Sequence, residues 1–216
     1  MSLTRRSLTL ALAALPAPVL VPGLAAAQAT PLSAADKALV ERATAYLQGL
    51  SEAKARFVQT DARGATSRGT VHLKRPGKAR FAYDAPSGLL VVSDGSAVSV
   101  ADSRLKTFDK YPLMSTPLSL FLAKNIRFDR GVSVTRVSRL ADGFTITARD
   151  GNKQTAGEIT LTFTDSPISL VGWTVTDAQR RSTRVQLANL ERASGLDPAL
   201  FVLKDPRPRA PGRAKM

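Results

Sequence analysis

Gly69-Thr70-Val71-His72-Leu73-Lys74-Arg75-Pro76-Gly77-Lys78-Ala79-Arg80-Phe81-Ala82-Tyr83 is the stretch on which the fold turns. Val71 and Leu73 alternate with polar neighbours, and Phe81 and Tyr83 do the same after the Pro-Gly turn. A period of two is what a strand with one buried face produces. Two such runs around a tight turn predict a pair of antiparallel strands.

The same pattern extends both ways. Before it, Phe57-Val58-Gln59-Thr60 alternates and ends at Asp61-Ala62-Arg63-Gly64. After it come Leu89-Leu90-Val91-Val92 and Ser96 to Val100, with turns at Ala85-Pro86-Ser87-Gly88 and Ser93-Asp94-Gly95. Further strands are expected over residues 132–137, 143–149, 157–164, 168–176 and 183–190, with Phe201-Val202-Leu203 as a last one and a helical turn within 194–201. Helical spacing occurs in two places. Ser33 and Asp36 sit at capping-box distance ahead of Leu39, Ala43, Tyr46, Leu47 and Leu50, which share one helical face. Tyr111 to Pro117 reads as irregular, and Thr116 caps a short apolar helix over Leu118 to Lys124. The expected architecture is mainly β: a single curved antiparallel sheet of roughly ten strands, its apolar face covered by two or three short helices.

Compartment and charge narrow the function. Arg5 and Arg6, an Ala-rich apolar run to about Ala27, and the small residues Ala25-Ala26-Ala27 have the form of a cleavable export signal. Thr4 to Leu10 fits a twin-arginine route as well as an ordinary secretory leader. The expected division is residues 1–29 as signal peptide, 30–203 as one domain and 204–216 as a basic disordered tail, with the mature protein soluble in the periplasm. With no cysteine the fold needs no disulfide, and the chain carries no site for a lipoprotein's own anchor. The formal charge of +14 suits nucleic acid, an anionic membrane face or an acidic partner, or simply maintains solubility; the expected compartment, outside the cytoplasm, argues against nucleic acid. One histidine, His72, and no cysteine leave no thiol or multi-histidine metal centre. His72 sits mid-strand, expected on a solvent face. Asp94 and Asp102 could pair as acids, but a turn already accounts for Asp94 before Gly95. No catalytic residue, cofactor or metal site is expected.

Arg75 falls on the face of Val71 and Leu73, where a cation needs partners such as carbonyl oxygens. Closing a turn before Pro76 would account for it equally well. The ordered elements Phe57-Val58-Gln59, Gly69 to Phe81, Tyr83-Asp84-Ala85-Pro86, Val92-Ser93-Asp94-Gly95, Tyr111-Pro112-Leu113 and Thr116-Pro117-Leu118 resemble the LolA family of periplasmic lipoprotein carriers. The resemblance is close from Phe57 to about Lys124 and loose beyond.

It implies an unclosed β-barrel whose helix-lidded concave face holds lipoprotein acyl chains. The cargo is taken from the inner-membrane Lol ABC transporter and delivered to the outer-membrane receptor LolB or an equivalent, by a monomer. It also implies that Arg75 gates the lid. Phe57, Val71, Leu73, Phe81, Tyr83, Leu118 and Phe121 are the candidates for the cavity lining, each also compatible with ordinary core. A carrier of another envelope lipid (a glycolipid or hopanoid) or a lipoprotein-sensing regulator could share this fold.

Overall fold

A computed structural model describes residues 32–116, 118–124, 132–150 and 157–206. The expected signal peptide and all of the expected tail after residue 206 lie outside the described residues, as do Pro117 and Gly151.

Helix α1, Ala34–Gln48, begins where the sequence places its cap. The Asp36 amide donates to Ser33 Oγ at 3.1 Å, and Ser33 Oγ donates to the Asp36 carboxylate at 2.7 Å. Leu39, Ala43 and Leu47 are its buried stripe. Six strands follow: β1 Glu52–Thr60, β2 Thr66–Lys74, β3 Lys78–Tyr83, β4 Leu89–Asp94, β5 Ala97–Asp102 and β6 Thr107–Pro112. A 3-10 turn, Leu113–Ser115, leads to α2, Leu118–Leu122. The second run is β7 Val132–Leu140, β8 Gly143–Asp150, β9 Glu158–Asp165, β10 Ile168–Thr176 and β11 Ser182–Arg192, then a 3-10 turn over Pro198–Phe201.

All eleven strands form one antiparallel sheet in the order β6-β5-β4-β3-β2-β1-β11-β10-β9-β8-β7. The first and last strands meet in the middle, and the edges, β6 and β7, are not paired with each other among the described residues. The sheet is therefore open, but it curls strongly. Four strand steps separate β3 from β10, roughly 19 Å in a flat sheet at about 4.8 Å per step. Yet the rings of Phe81 on β3 and Trp173 on β10 lie 6.0 Å apart. Only a curved sheet brings those two inward side chains together.

The concave face is filled by one apolar cluster spanning α1, α2 and nearly every strand. Gly69 shows how tightly it is packed. It lies opposite Phe57, and a Cβ there would stand 2.7 Å from two carbons of the Phe57 ring. The pair works because the glycine leaves room for the ring.

Three expectations are corrected. The sheet has eleven strands because Tyr111 and Pro112 belong to β6, not to an irregular segment. Pro112 is tolerated because β6 is an edge strand, where a missing N–H need break no ladder. The second helix stops at Leu122, short of Lys124. Phe201-Val202-Leu203 is not a strand: Phe201 closes the Pro198–Phe201 turn, which the Asp197 side chain caps by accepting from the Ala199 amide at 2.8 Å.

The last of these matters, because that segment covers the convex face. The Ala193 amide donates to the Glu52 carbonyl at 2.9 Å. The Leu196 amide donates to Glu52 Oε2 at 2.8 Å, and Lys74 Nζ donates to the Leu196 carbonyl at 2.8 Å. Farther on, Arg80 Nη1 donates to the Leu200 carbonyl at 3.1 Å. Phe201 is then buried outside the concave cluster, as is Val92, the cross-strand partner of Arg80.

Candidate functional site

The β2–β3 turn that opens the sequence reading is where both helices are tied to the sheet. α1 has no basic residue in its last turn, so its terminal carbonyls carry the negative end of the helix dipole without local compensation. Arg75 supplies it from the sheet. Its Nη1 donates to the Leu47 carbonyl, and its Nη2 donates at 2.7 Å to the Ala123 carbonyl, just past α2. One planar fork thus bridges the ends of two helices, a geometry a lysine does not offer. The Gly77 amide donates to the Leu122 carbonyl at 2.7 Å, so two consecutive carbonyls at the end of α2 rest on this turn. Ser93 Oγ donates to the Gly77 carbonyl at 2.6 Å and fixes the turn from behind. Arg192 donates to the Gly49 carbonyl, giving α1 a second cation at its C-terminus.

Arg75 is only partly compensated. Burial lowers its proton affinity below that of an ordinary arginine, although a guanidinium stays cationic at neutral pH. Its Nε is buried with no hydrogen-bond partner among the described residues. An unmet buried donor costs about 1–3 kcal/mol, so the Arg75 bridge carries a built-in penalty.

All seven lining candidates belong to the concave cluster or pack against it. Phe57, Val71, Leu73, Phe81 and Phe121 are buried in the concave cluster, and Leu118 packs half-buried against it. Tyr83 lies toward the far end of the same face. Its hydroxyl donates to Gln59 Oε1 at 2.7 Å, and burial raises its pKa to about 12. Phe57 meets Phe81 and Tyr83 edge-on, with centroids 5.8 and 5.1 Å apart.

Phe121 and Trp173 are both among the few aromatics available for a lining, but the sequence does not pair them. Phe121 on α2 stacks on Trp173 of β10 at 5.5 Å and 28°. Nothing in the spacing of residues 121 and 173 signals that contact. The site's acceptors were equally hidden, since the carbonyls of Leu47 and Ala123 leave no trace in side-chain identity.

The remaining candidates for chemistry disperse. His72 lies on the convex face and is half-buried rather than facing solvent; burial first, then Arg80 and Lys54, disfavour its protonation. Asp94 and Asp102 sit at opposite ends of the β4–β5 pair. Each staples its own turn: Asp94 accepts from the amides of Ser96 and Ala97, and Asp102 from those of Arg104 and Leu105. No cluster of potential metal ligands occurs among the described residues, and no helix there is long and apolar enough to cross a membrane.

The arrangement is an apolar interior closed by two helices whose ends share one guanidinium. The chain is also similar to known proteins. The family described as outer membrane lipoprotein carrier protein LolA matches residues 48–204. An outer-membrane lipoprotein carrier protein of Chromobacterium violaceum is 27% identical over 192 residues, covering 85% of this chain and 92% of that one. A DUF1329 family protein from Desulfovibrio piger shares the fold with a TM-score of 0.50 at 11% identity, over 78% of this chain and 96% of its own. A LolA superfamily protein from Nitrosomonas europaea gives 0.46 at 10% identity, over 78% and 97%.

Proposed function

The chain belongs to the LolA family of outer-membrane lipoprotein carriers, and from that premise we propose that it is a soluble periplasmic carrier of lipoprotein acyl chains. It takes them from the inner-membrane Lol transporter, holds them on its concave face and hands them to LolB or an equivalent receptor. The observation that supports this most is the bridge from Arg75 to the Leu47 and Ala123 carbonyls, since it joins both lid helices to one point of the sheet.

The physics of the exchange is simple. Each CH₂ withdrawn from water contributes about 0.8 kcal/mol, so acyl chains compete well for an apolar face. Phe121, Leu118 and the α1 stripe occupy that face in the closed protein. Cargo has to displace them, and the displaced lid lowers the net affinity enough for release. Arg75 sets how readily the lid leaves, because its two carbonyl bonds are made only when both helices are down. No step requires a catalytic group.

The experiment is release from spheroplasts. Purified exported protein is added, and the supernatant is assayed for lipoproteins in one-to-one soluble complexes. Wild type is expected to release them, and Arg75→Leu to fold normally yet lower transfer about tenfold, the equivalent of one charge-assisted hydrogen bond. An unfolded Arg75→Leu would refute the gating role. Absence of release by a folded wild type, with the native transporter intact, would point to a different lipid cargo.

A further inference from the structure

Two turns at the end of the sheet remote from Arg75 are built on one plan. In residues 61–65 and 177–181 the leading aspartate's amide donates to the carbonyl of the fifth residue, Ala65 at 2.9 Å and Arg181 at 3.0 Å. Its carbonyl accepts from the fourth residue, Gly64 or Arg180, at 3.0 Å in both. Its Oδ1 accepts from the third and fifth amides, all four bonds at 2.9 Å. Because β1 pairs with β11, the twin turns lie side by side.

A cleft of about 450 Å³ separates them, lined by Asp61, Arg63, Asp177 and Arg181 above Val175 and Thr183. Val175 and Thr183 are cross-strand partners in register with Trp173 and Val185, which face the concave interior. Val175 itself packs against the interior cluster. The cleft is thus a charged mouth on the apolar face, one strand length, roughly 30 Å, from the Arg75 turn.

Its carboxylates are engaged in their own turns, whereas its cations are not fully used. Arg181 donates through Nε to Asp177 Oδ2 at 2.8 Å, and its terminal nitrogens make no hydrogen bond among the described residues. The Arg63 side chain makes neither a hydrogen bond nor an ion pair among them. Arg63 and Arg181 both line the cleft, and their guanidinium groups suit a ligand with several anionic oxygens, which phosphate offers to both at once. The volume is that of a small-ligand site.

We propose that this cleft binds the phosphate of an anionic amphiphile, with Arg63 and Arg181 on its oxygens and the acyl chains running past Val175 toward Trp173. The inference rests on the concave face being an acyl-chain site, and it adds to that face a phosphate-bearing ligand beside the lipoproteins, whose lipidated cysteine carries no phosphate.

The test is calorimetric titration of the protein with dihexanoylphosphatidylglycerol and, separately, with inorganic phosphate. The lipid is expected to bind at least about tenfold more tightly than phosphate, since its chains add apolar burial. Arg63→Gln should weaken both by about tenfold, the scale of one charge-assisted hydrogen bond, with Tm unchanged. Lys37→Gln on α1 should change neither. Affinities untouched by Arg63→Gln would overturn the site, and equal affinity for lipid and inorganic phosphate would overturn the amphiphile. Intact lipid binding with no lipoprotein release would defeat the carrier reading alone; release without an Arg63 effect on titration would defeat this site alone.

Discussion

Both faces of the sheet are covered, and they are covered by opposite means. On the concave side α1 and α2 lie on a broad apolar cluster, and among the described residues Arg75 alone reaches the ends of both. On the convex side the segment from Ala193 to Phe201 buries one large side chain and is pinned through its backbone by Glu52, Lys74 and Arg80. In the proposed carrier function, the contrast separates a lid from a strap. An acyl chain offers the same kind of contact that Phe121 makes with Trp173, so it can take the lid's place at little net cost. Nothing in an acyl chain replaces the Leu196 amide on the Glu52 carboxylate.

The sharpest way to break this contrast is to truncate one aromatic on each side. Phe201→Ala and Phe121→Ala each remove a fully buried ring, and each should cost about 3–5 kcal/mol in urea unfolding of the empty protein. They should differ when an acyl ligand is added. The cavity under α2 can be filled by the chain, so Phe121→Ala regains much of its stability, while Phe201→Ala regains none beyond what wild type gains. Equal rescue of the two would erase the distinction between lid and strap.

A smaller effect sharpens the strap. The Leu196 amide first, and Lys74 second, hold the Glu52 carboxyl below its ordinary value of 4.5. A depressed carboxyl contributes stability that is full above the unfolded value and is lost as pH falls through the folded one. Wild type should therefore exceed Glu52→Gln in Tm near neutrality, and the gap should close on acidification below about pH 4.5. A gap constant from pH 7 to pH 3 would refute the anchor.

The smallest expected effect has the opposite sign. Arg180 holds φ of 63° at the turn position that its twin gives to Gly64. Arg180→Gly should raise stability by up to about 1 kcal/mol, measured by denaturant midpoint, because glycine adopts that backbone without a Cβ penalty.

The same contrast explains what could be read from the sequence. α1 was legible because Ser33 and its apolar face are local signals, and the β2–β3 hairpin was legible because Val71, Leu73, Phe81 and Tyr83 keep a strict alternation. Arg75 stood out as a cation in that apolar row, although its acceptors did not. β6 escaped because an exposed edge strand has no buried face to impose a period. The strap escaped because Phe201-Val202-Leu203 is apolar and short, as a strand would be. Only the convex-side partners, Glu52, Lys74 and Arg80, distinguish the two, and they lie about 120 to 144 residues away in the chain.

Trp173 is the single tryptophan of the chain and stacks on Phe121 of α2. The most direct test of the central claim is therefore quenching of its fluorescence by a lipopeptide with brominated acyl chains, against the same lipopeptide unbrominated. Saturable quenching by the brominated form alone is expected, because displaced Phe121 leaves bromine in contact with the indole. Tight binding of both lipopeptides with no difference in Trp173 emission would contradict an acyl-chain site on the concave face.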